Sequence, residues 1–524
     1  MINYGTRNAG LRPEMTKMLL HAQLLLFYFS FSSSPWTRVL PFKKQGMRHK
    51  ATIFFLFTST LSFLHLLAAL QPKIKFLLKH FAFKSNLYYL TPLIANSNSG
   101  PKRKSSLEVV HKHGPCSQPN QESDKAKGTT PHSDILDQDK ERVKYIHSRL
   151  YENLGQDNSV KELDSTSLPA KSGSLIGSGN YFVVVGIGTP KRDLSLIFDT
   201  GSDLTWTQCQ PCARSCYKQQ DPIFDPSKST SYSNITCTSS LCTQLSTATG
   251  NDPGCSASTK ACIYGIQYGD QSFSVGYFSR ERLTIAADVI DNFLFGCGQN
   301  NQGLFGGSAG LIGLGRHPIS LVQQTGAKYG RVFSYCLPAT SSSVGHLTFG
   351  GGGASRYLKY TPFSTISRGS SFYGLDITGI SVGGNRLPVS SATFSSGGAI
   401  IDSGTVITRL PPTAYAALRS AFRQGMARYP SAGELSILDT CYDLSGYKVL
   451  LIPKIDFAFG GGVAVELAAE GILYVASAKQ VCLAFAANGD DSDVTIFGNV
   501  QQRTLEVVYD VGGGRIGFGA GGCK

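Results

Sequence analysis

Acidic residues are almost missing from the first 104 residues of this 524-residue chain, which contain fifteen lysines and arginines but one carboxylate, Glu14. The formal net charge of +14 therefore arises in this leader, because the rest of the chain contains 34 basic and 34 acidic residues. A balanced body does not offer the basic face that binding to duplex nucleic acid requires. A basic, acid-poor beginning is instead typical of a targeting segment.

The leader contains two apolar stretches, at residues 18–30 and 51–70. The second follows a group of basic residues, which is the layout of a secretory signal, so we expect a signal region within residues 1–75 and take Met47 as a candidate start. A run of about 20 mostly apolar residues is also long enough for a membrane anchor. A plastid transit peptide is the alternative, because carboxylates are missing and serines are frequent.

Patterns typical of helices are scarce beyond the leader. Short apolar runs at residues 181–187, 283–285, 293–295 and 504–509 are separated by turns rich in glycine, serine and proline, which predicts strands. One clear helix is indicated at residues 413–428, after two prolines. The expected fold class is therefore all-β.

Two short segments of similar sequence stand about 200 residues apart. One apolar run leads into Asp-Thr-Gly-Ser at residues 199–202, and another leads into Asp-Ser-Gly-Thr at residues 402–405. An ionised Asp beside a buried strand is costly unless other groups satisfy it. Either Asp alone could simply close an ordinary Asx turn. The recurrence indicates two similar half-molecules, each of which delivers one carboxylate.

The two aspartates suggest a specific chemistry. Two carboxyl groups held close together cannot both ionise easily, so their titrations separate into a low and a high step. One carboxylate can then act as general base on a shared water molecule while its protonated partner polarises a peptide carbonyl. Asp199 and Asp402 are the candidate catalytic pair. The residues expected to support their loops are Thr200, Gly201, Ser202, Ser403, Gly404 and Thr405. No cofactor is expected.

Five motifs in a fixed order carry a family resemblance. They lie at residues 198–206, 268–270, 310–315, 401–405 and 496–499. With them the chain resembles a pepsin-type aspartic protease of peptidase family A1, specifically the plant atypical, nepenthesin-like branch. The resemblance covers the chain from about residue 107 onward. It implies an all-β, bilobal fold with the active site in the cleft between two β-rich lobes.

The resemblance also implies a domain organisation. Residues 76–170, with a helix-like pattern at 135–154, correspond to a propeptide; a solvated linker is the alternative. Residues 171–360 correspond to the N-terminal lobe, which contains a cysteine-rich insertion at 209–262, and residues 361–524 to the C-terminal lobe. Basic residues of a propeptide can pair with cleft carboxylates at neutral pH and release them in acid.

Further site residues follow from the resemblance. In this family a hairpin forms a flap over the cleft, and Tyr268 and Gly269 match its tip. Tyr268 is expected to form a hydrogen bond with Trp206, and its ring supplies an apolar wall with a polar end. Strands that end in Gly313 and Gly498 are expected to pass beside the two Asp loops, where glycine lets the backbones approach.

Cysteines indicate an oxidising compartment. Thirteen are present, and the twelve between Cys209 and Cys523 predict at most six disulfides in a secreted chain. The Cys209–Cys212 spacing also occurs in zinc sites, but ligand-type histidines are missing nearby, so no metal is expected. The resemblance implies the pair Cys441–Cys482. The remaining pairing stays open among Cys209, Cys212, Cys216, Cys237, Cys242, Cys255, Cys262, Cys297, Cys336 and Cys523.

These observations lead to a functional hypothesis. The chain is expected to be an aspartic endopeptidase that hydrolyses peptide bonds at acid pH with a water molecule activated between Asp199 and Asp402. One alternative is an inactive pepsin-fold inhibitor or binding protein, although such relatives typically damage one Asp motif and both are whole here. Another is a plastid protease with a DNA-binding side activity, which the balanced charge weakens.

The expected partners and location follow from the same reading. We expect a polypeptide substrate, no nucleic acid, no stable membrane partner after processing, and a monomer. The location is expected to be the apoplast or the vacuole, reached through the secretory pathway, with the chloroplast as the alternative. Asn234 begins an Asn-Ile-Thr acceptor site for N-glycosylation, which agrees with secretion.

Overall fold

The computed structural model of the chain describes residues 105–111, 132–152, 181–268, 271–303, 305–340, 342–351, 357–365 and 371–523. The signal region expected within residues 1–75 lies outside these ranges. Across the ranges that are described, the helices are all too short or too polar to cross a membrane.

Short strands make up most of the described secondary structure. The strands of the first part of the chain are β1 Ser106–His111, β2 Tyr181–Ile187, β3 Arg192–Asp199, β4 Trp206–Gln208, β5 Ser233–Asn234, β6 Gly254–Cys255, β7 Cys262–Gln267, β8 Phe273–Ile285, β9 Asp288–Gln302, β10 Gly310–Gly313, β11 Val332–Cys336, β12 Val344–Phe349 and β13 Lys359–Pro362. Those of the second part are β14 Tyr373–Leu375, β15 Ile377–Val382, β16 Asn385–Arg386, β17 Ala399–Ile401, β18 Thr408–Leu410, β19 Ser431–Ala432, β20 Cys441–Tyr442, β21 Ile455–Phe459, β22 Val463–Glu466, β23 Leu473–Ser477, β24 Gln480–Leu483, β25 Phe485–Ala487, β26 Thr495–Phe497, β27 Glu506–Asp510 and β28 Arg515–Gly519.

A single 15-stranded sheet organises the first part of the chain. Its order is β13-β28-β27-β11-β12-β1-β2-β3-β10-β4-β9-β8-β7-β6, and β5 pairs with β8. Because β27 and β28 come from the end of the chain, this sheet joins the two halves. The second half adds three sheets, β14-β17-β26-β18-β25, β16-β15-β21-β22 and β19-β20-β24-β23. The expectation of an all-β, two-lobed protein is confirmed.

The strands form where the apolar runs can be buried. Strand β2 covers the predicted residues, and every side chain in it except Val184 is buried. Strand β8 alternates between buried and half-buried positions and pairs with β9 in a long antiparallel hairpin. Strand β1, from the segment expected to be a propeptide, lies between β12 and β2, with Leu107 opposite Leu347 and Val110 opposite Phe182.

Helices are few and mostly short in the described residues. They are α1 His132–Glu152, α2 Ser240–Thr249, α3 Leu321–Gln324, α4 Gly326–Tyr329, α5 Ser391–Gly397, α6 Pro412–Gly425, α7 Ala469–Ile472 and α8 Asn499–Gln502, with 3-10 turns at Pro226–Lys228 and Gly460–Gly462. The helix predicted at residues 413–428 is α6. It begins at Pro412, where a missing N–H costs nothing, and it buries Ala414, Leu418 and Phe422 on one face.

Six disulfides link the described cysteines. The pairs are Cys209–Cys297, Cys212–Cys216, Cys237–Cys255, Cys242–Cys262, Cys336–Cys523 and Cys441–Cys482. The last is the pair that the family resemblance implied. Cys209 pairs outside the cysteine-rich insertion and ties it to β9, and Cys523 ties the end of the chain to β11.

Two glycines let strands pass directly beside the Asp loops. A Cβ atom on Gly313 would lie 2.2 Å from the backbone carbonyl of Asp203, and one on Gly498 would lie 2.8 Å from the carbonyl oxygen of Val406. Since the obstructing atoms are backbone, a side chain at either position forces the strand and the loop apart. The close approach that the sequence predicted at these glycines is therefore present.

Gly313→Ala should lower the free energy of unfolding by about 1–3 kcal/mol, because the new methyl group overpacks a buried backbone contact. Gly433→Ala is the matched control, since a Cβ there meets nothing within 4 Å. Denaturant unfolding of both variants measures the difference. Equal denaturant midpoints for the two variants would show that the Asp loop moves to accommodate the methyl group without loss of stability.

Candidate active site

The two aspartates end equivalent strands in the two halves. Asp199 is the last residue of β3, which pairs in parallel with β10 so that Gly313 lies opposite Asp199. Asp402 follows β17, which pairs in parallel with β26. Both aspartates are almost fully buried, with 1% and 0% of their surface exposed. The repeated sequence therefore folds into a repeated structure that aims two carboxylates at one place.

Hydroxyl groups connect the two loops. The Ser403 N–H donates to Thr200 Oγ1 at 2.9 Å, and the Thr200 N–H donates to Ser403 Oγ at 3.1 Å. Each loop thus holds the backbone of the other through a reciprocal pair of bonds. The support expected from these two residues thus takes the form of bonds across the two loops.

The glycine of each loop donates its N–H to the carboxylate of its own loop, and its Cα faces the carboxylate of the other loop. The N–H of Gly201 donates to Asp199 Oδ1 at 3.0 Å, and the N–H of Gly404 donates to Asp402 Oδ1 at 3.2 Å. A Cβ on Gly201 would lie 2.8 Å from Asp402 Oδ1, and one on Gly404 would lie 2.7 Å from Asp199 Oδ1. A side chain at either glycine would have to displace the carboxylate of the other loop.

The remaining loop residues support the carboxylates differently. Thr405 Oγ1 donates to Asp402 Oδ2 at 2.5 Å. Ser202 is buried, and its carbonyl accepts the N–H of Gly315 at 2.8 Å. Asp402 therefore has a hydroxyl partner from its own loop, and the Ser202 carbonyl links the first loop to Gly315, two residues beyond the end of β10.

Tyr268, the residue that the resemblance matches to the flap, forms the expected hydrogen bond with Trp206. Trp206 Nε1 donates to Tyr268 Oη at 2.8 Å, and the ring of Phe305 packs edge-on against both aromatic rings. Gln271 at the turn has φ = 63°, and its N–H donates to the Tyr268 carbonyl at 3.0 Å. This left-handed conformation favours glycine, and glutamine occupies it here. Gly269 lies outside the described residues.

Arg142 of helix α1 binds both candidate catalytic residues. Its Nη2 lies 2.7 Å from Asp199 Oδ1 and 3.0 Å from Asp402 Oδ1, and its Nε donates to Asp402 Oδ2 at 3.0 Å. One nitrogen that touches both carboxylates shows how close together they are. The guanidinium therefore lies between the two carboxylates.

The environment separates the titrations of the pair. Burial would raise the pKa of Asp199, but Arg142 and the Gly201 N–H outweigh it and hold that pKa below its usual value. Burial raises the pKa of Asp402; Arg142 opposes this, the charge of Asp199 reinforces it, and the pKa stays above its usual value. Burial also disfavours the charge of Arg142, but the two carboxylates raise its pKa.

An apolar stripe fixes helix α1 over the site. Leu136 is buried in a cluster of the C-terminal half that includes Val406 and Ile407. Val143, Ile146 and Leu150 are buried in a second cluster, together with Phe372, Ile400, Val494 and Ile496. These residues are spaced by seven, three and four positions, so they lie on one helical face. Arg142 is therefore held between two apolar anchors.

Two polar residues contact the second Asp loop in a way that the sequence did not predict, although Asn499 ends the motif at residues 496–499. Asn499 Nδ2 donates to the Ser403 carbonyl at 3.0 Å, and Gln502 Nε2 donates to the Asp402 carbonyl at 3.2 Å. Both belong to α8, directly after the glycine that packs on the second Asp loop. The sequence signal for both residues is a run of amide side chains directly after a core strand. Because solvated turns have the same pattern, this signal does not identify a buried site.

The glycosylation candidate lies away from this site. Asn234 is exposed in the short strand β5, opposite Ser279 of β8. Its Oδ1 accepts hydrogen bonds from Tyr232 and Ser279, at 2.7 and 3.0 Å.

Together, the two half-molecules, the paired Asp loops and the flap tyrosine define a pepsin-type aspartic protease. Residues 181–351 match the family model described as Xylanase inhibitor N-terminal, and residues 372–520 match the one described as Xylanase inhibitor C-terminal. The two matches fall on the two halves that carry Asp199 and Asp402.

Curated relatives place the chain within this class. An aspartyl protease family protein of Arabidopsis thaliana is 61% identical over 423 residues, which is 80% of this chain and 88% of that protein. Aspartyl protease AED1 of the same plant is 50% identical over 84% of this chain and 91% of its own length. Aspartic proteinase nepenthesin-1 of Nepenthes gracilis is 38% identical over 66% and 79%. The chain therefore belongs to the plant, nepenthesin-like branch of the pepsin family. It is an aspartic endopeptidase, and its substrates are polypeptides.

Solved structures agree on the fold. The structure named edgp has a TM-score of 0.53 at 19% identity and covers 67% of this chain and 92% of its own. Basic 7S globulin from soybean has a TM-score of 0.51 at 21% identity and covers 64% and 92%. At such identities the likeness concerns the architecture alone.

Thr200→Val should lower the free energy of unfolding by about 1–3 kcal/mol, because it leaves the buried N–H of Ser403 without its acceptor. Thr200→Ser keeps the hydroxyl group and should recover most of the loss. Chemical denaturation of the two variants and the wild type makes the comparison. If the Thr200→Val protein were as stable as the Thr200→Ser protein, the cross-loop bond would contribute nothing to the free energy of unfolding.

Proposed function

We propose that Asp199 and Asp402 are the catalytic pair of this endopeptidase. The observation that carries the proposal is that two buried carboxylates from equivalent loops share one cationic partner, Arg142. Once that partner leaves, burial and mutual repulsion favour one shared proton. The ionised carboxylate takes a proton from a water molecule as it attacks the peptide carbonyl, and the protonated one donates to the carbonyl oxygen.

The surrounding residues have supporting roles in this mechanism. The N–H groups of Gly201 and Gly404 hold the carboxylates in place, and the bonds between Thr200 and Ser403 fix the distance between the loops. Tyr268 covers the site from the flap, and Trp206 orients its hydroxyl group. Two complete Asp loops with these bonds favour an active enzyme over an inhibitor of the same fold.

We also propose that residues 76–170 are a propeptide that keeps the enzyme latent. Helix α1 supports this, because Arg142 occupies the place of the attacking water while the apolar stripe holds the helix down. A cut between residues 164 and 174 would separate this segment from the first lobe.

Acid should release the helix. Arg142 holds the pKa of Asp199 below its usual value and opposes the rise that burial causes in the pKa of Asp402, so docking favours the ionised forms of both. Protonation therefore weakens docking as the pH falls, first at Asp402, whose pKa lies above its usual value, and then at Asp199, whose pKa lies below it. The docked state is favoured at neutral pH, and the open state is favoured in acid.

The proposed location is the secretory pathway, with the apoplast or the vacuole as destination. Six disulfides suit an oxidising compartment. The monomeric state and the absence of a nucleic-acid partner stay predictions, and so does glycosylation at Asn234.

Asp199→Asn should lower the rate of protein hydrolysis at pH 3–6 by about 100- to 10,000-fold, because it removes a general acid–base group. The assay uses propeptide-free protein with and without pepstatin, an inhibitor of aspartic proteases. Asp193→Asn, an exposed position in the same strand, is the matched control and should keep full activity. Full activity in Asp199→Asn would overturn the assignment.

Arg142→Gln should raise the pH at which half of the full chain becomes processed, by about one to three pH units, because an opposite charge shifts a carboxyl pKa by that amount. Lys140→Gln removes one charge from the exposed face of the same helix and should process like the wild type. Gel analysis across a pH series measures the midpoint. A midpoint unchanged from the wild type would rule out Arg142 as the pH-sensitive contact.

A further inference from the structure

A second ionic contact between helix α1 and the body of the enzyme lies one turn away from Arg142. Asp139 is fully buried, and its carboxylate accepts the N–H of Val406 at 2.5 Å and that of Ile407 at 3.1 Å. It also forms an ion pair with Arg409 Nη2 at 2.8 Å. Three donors that converge on one carboxylate form a built anion site, and the helix supplies its occupant.

The donors belong to the body of the enzyme. Val406 and Ile407 continue the loop of Asp402, and Arg409 lies in β18 with only 3% of its surface exposed. A bond from Arg409 Nη1 to the Ile407 carbonyl, at 2.9 Å, holds the guanidinium in place. Burial lowers the pKa of Arg409, and Asp139 opposes that shift. Removal of the helix would take the carboxylate away and leave these donors facing the opened site.

A buried guanidinium without a carboxylate is costly. We propose that in the mature protease Arg409, with the N–H groups of Val406 and Ile407, forms a subsite that binds an Asp or Glu side chain of the substrate. The proposal deepens the proposed function and rests on it, because it requires that the helix leave and that Asp199 and Asp402 cut. Asp139 is then a stand-in for a substrate residue.

The helix also indicates where the acidic residue binds. Leu136, Asp139 and Arg142 follow one another at intervals of three residues, which is about 4.5 Å along a helix. An extended peptide covers that distance in about one to two residues. The acidic side chain should therefore bind within about three residues of the cut bond, between the catalytic pair and the apolar pocket that Leu136 fills.

The test compares matched peptides that are amidated at the C-terminus and acetylated at the N-terminus, so that a side chain carries the only carboxylate. Each has the same apolar residue directly on either side of the cut bond, with Glu or Gln at the second or third position before or after it. Cleavage by the acid-processed wild type is followed at pH 5, where a free Glu is ionised. Glu should be preferred over Gln in kcat/KM by about 10- to 100-fold at one position, as expected for hydrogen bonds to a charged group.

Variants of Arg409 test whether this residue causes the preference for Glu. Arg409→Gln should bring the Glu-to-Gln ratio close to one, and Arg409→Lys should restore part of it. Arg419→Gln is the control. It removes an arginine of helix α6 that pairs with Asp439, and it should keep the wild-type ratio. A ratio that stays high in Arg409→Gln would overturn the role of Arg409.

The wild type alone also decides the matter if Arg409→Gln does not fold. Efficient, pepstatin-sensitive cleavage with a ratio near one at every position would overturn the subsite and leave the proposed function intact. No cleavage of any peptide or protein by the processed wild type would overturn the proposed function and the subsite with it.

Discussion

Electrostatic repulsion between two buried carboxylates is the constraint on which the site depends. Asp199 and Asp402 have almost no access to solvent, so water does little to screen their charges. Such a pair needs either a shared proton or a cation between its members. Two features of the chain meet this requirement. Hydrogen bonds between the two loops hold the carboxylates close enough to share a proton, and the arginine of helix α1 neutralises them when the helix is docked.

The architecture holds this unfavourable pair in place. Parallel strands end at both aspartates, glycines let neighbouring backbones close in on the loops, and amides of α8 bind the carbonyls of the second loop. The sheet that runs from β13 to β6 includes strands from both ends of the described chain and joins the two halves, while the bonds between Thr200 and Ser403 join the two loops directly. The position of the two carboxylates is thus fixed by many ordinary contacts: strand pairs, close backbone packing and hydrogen bonds.

Much of the fold and of the site could be predicted from the sequence. Repetition of Asp-Ser/Thr-Gly-Ser/Thr after apolar runs, the flap tyrosine and the strand at residues 181–187 are local patterns, and local patterns are readable. The partner of Cys209 is not local, because it depends on how β9 folds back. Arg142 and Asp139 lie in a segment as polar as a linker. Only the apolar residues on either side of them, Leu136 and the group from Val143 to Leu150, indicate that this face is buried, and they do not reveal which groups Arg142 and Asp139 meet.

Strand β1 adds a second point of attachment for the segment that ends in helix α1, since it is built into the sheet between β12 and β2. A tether of this kind keeps the helix at a high effective concentration beside its own site. If the helix undocks in acid as proposed, this tether makes the undocking reversible, and a return to neutral pH docks the helix again. On that proposal only scission of the backbone is irreversible, so brief acid exposure and lasting activation are separate events.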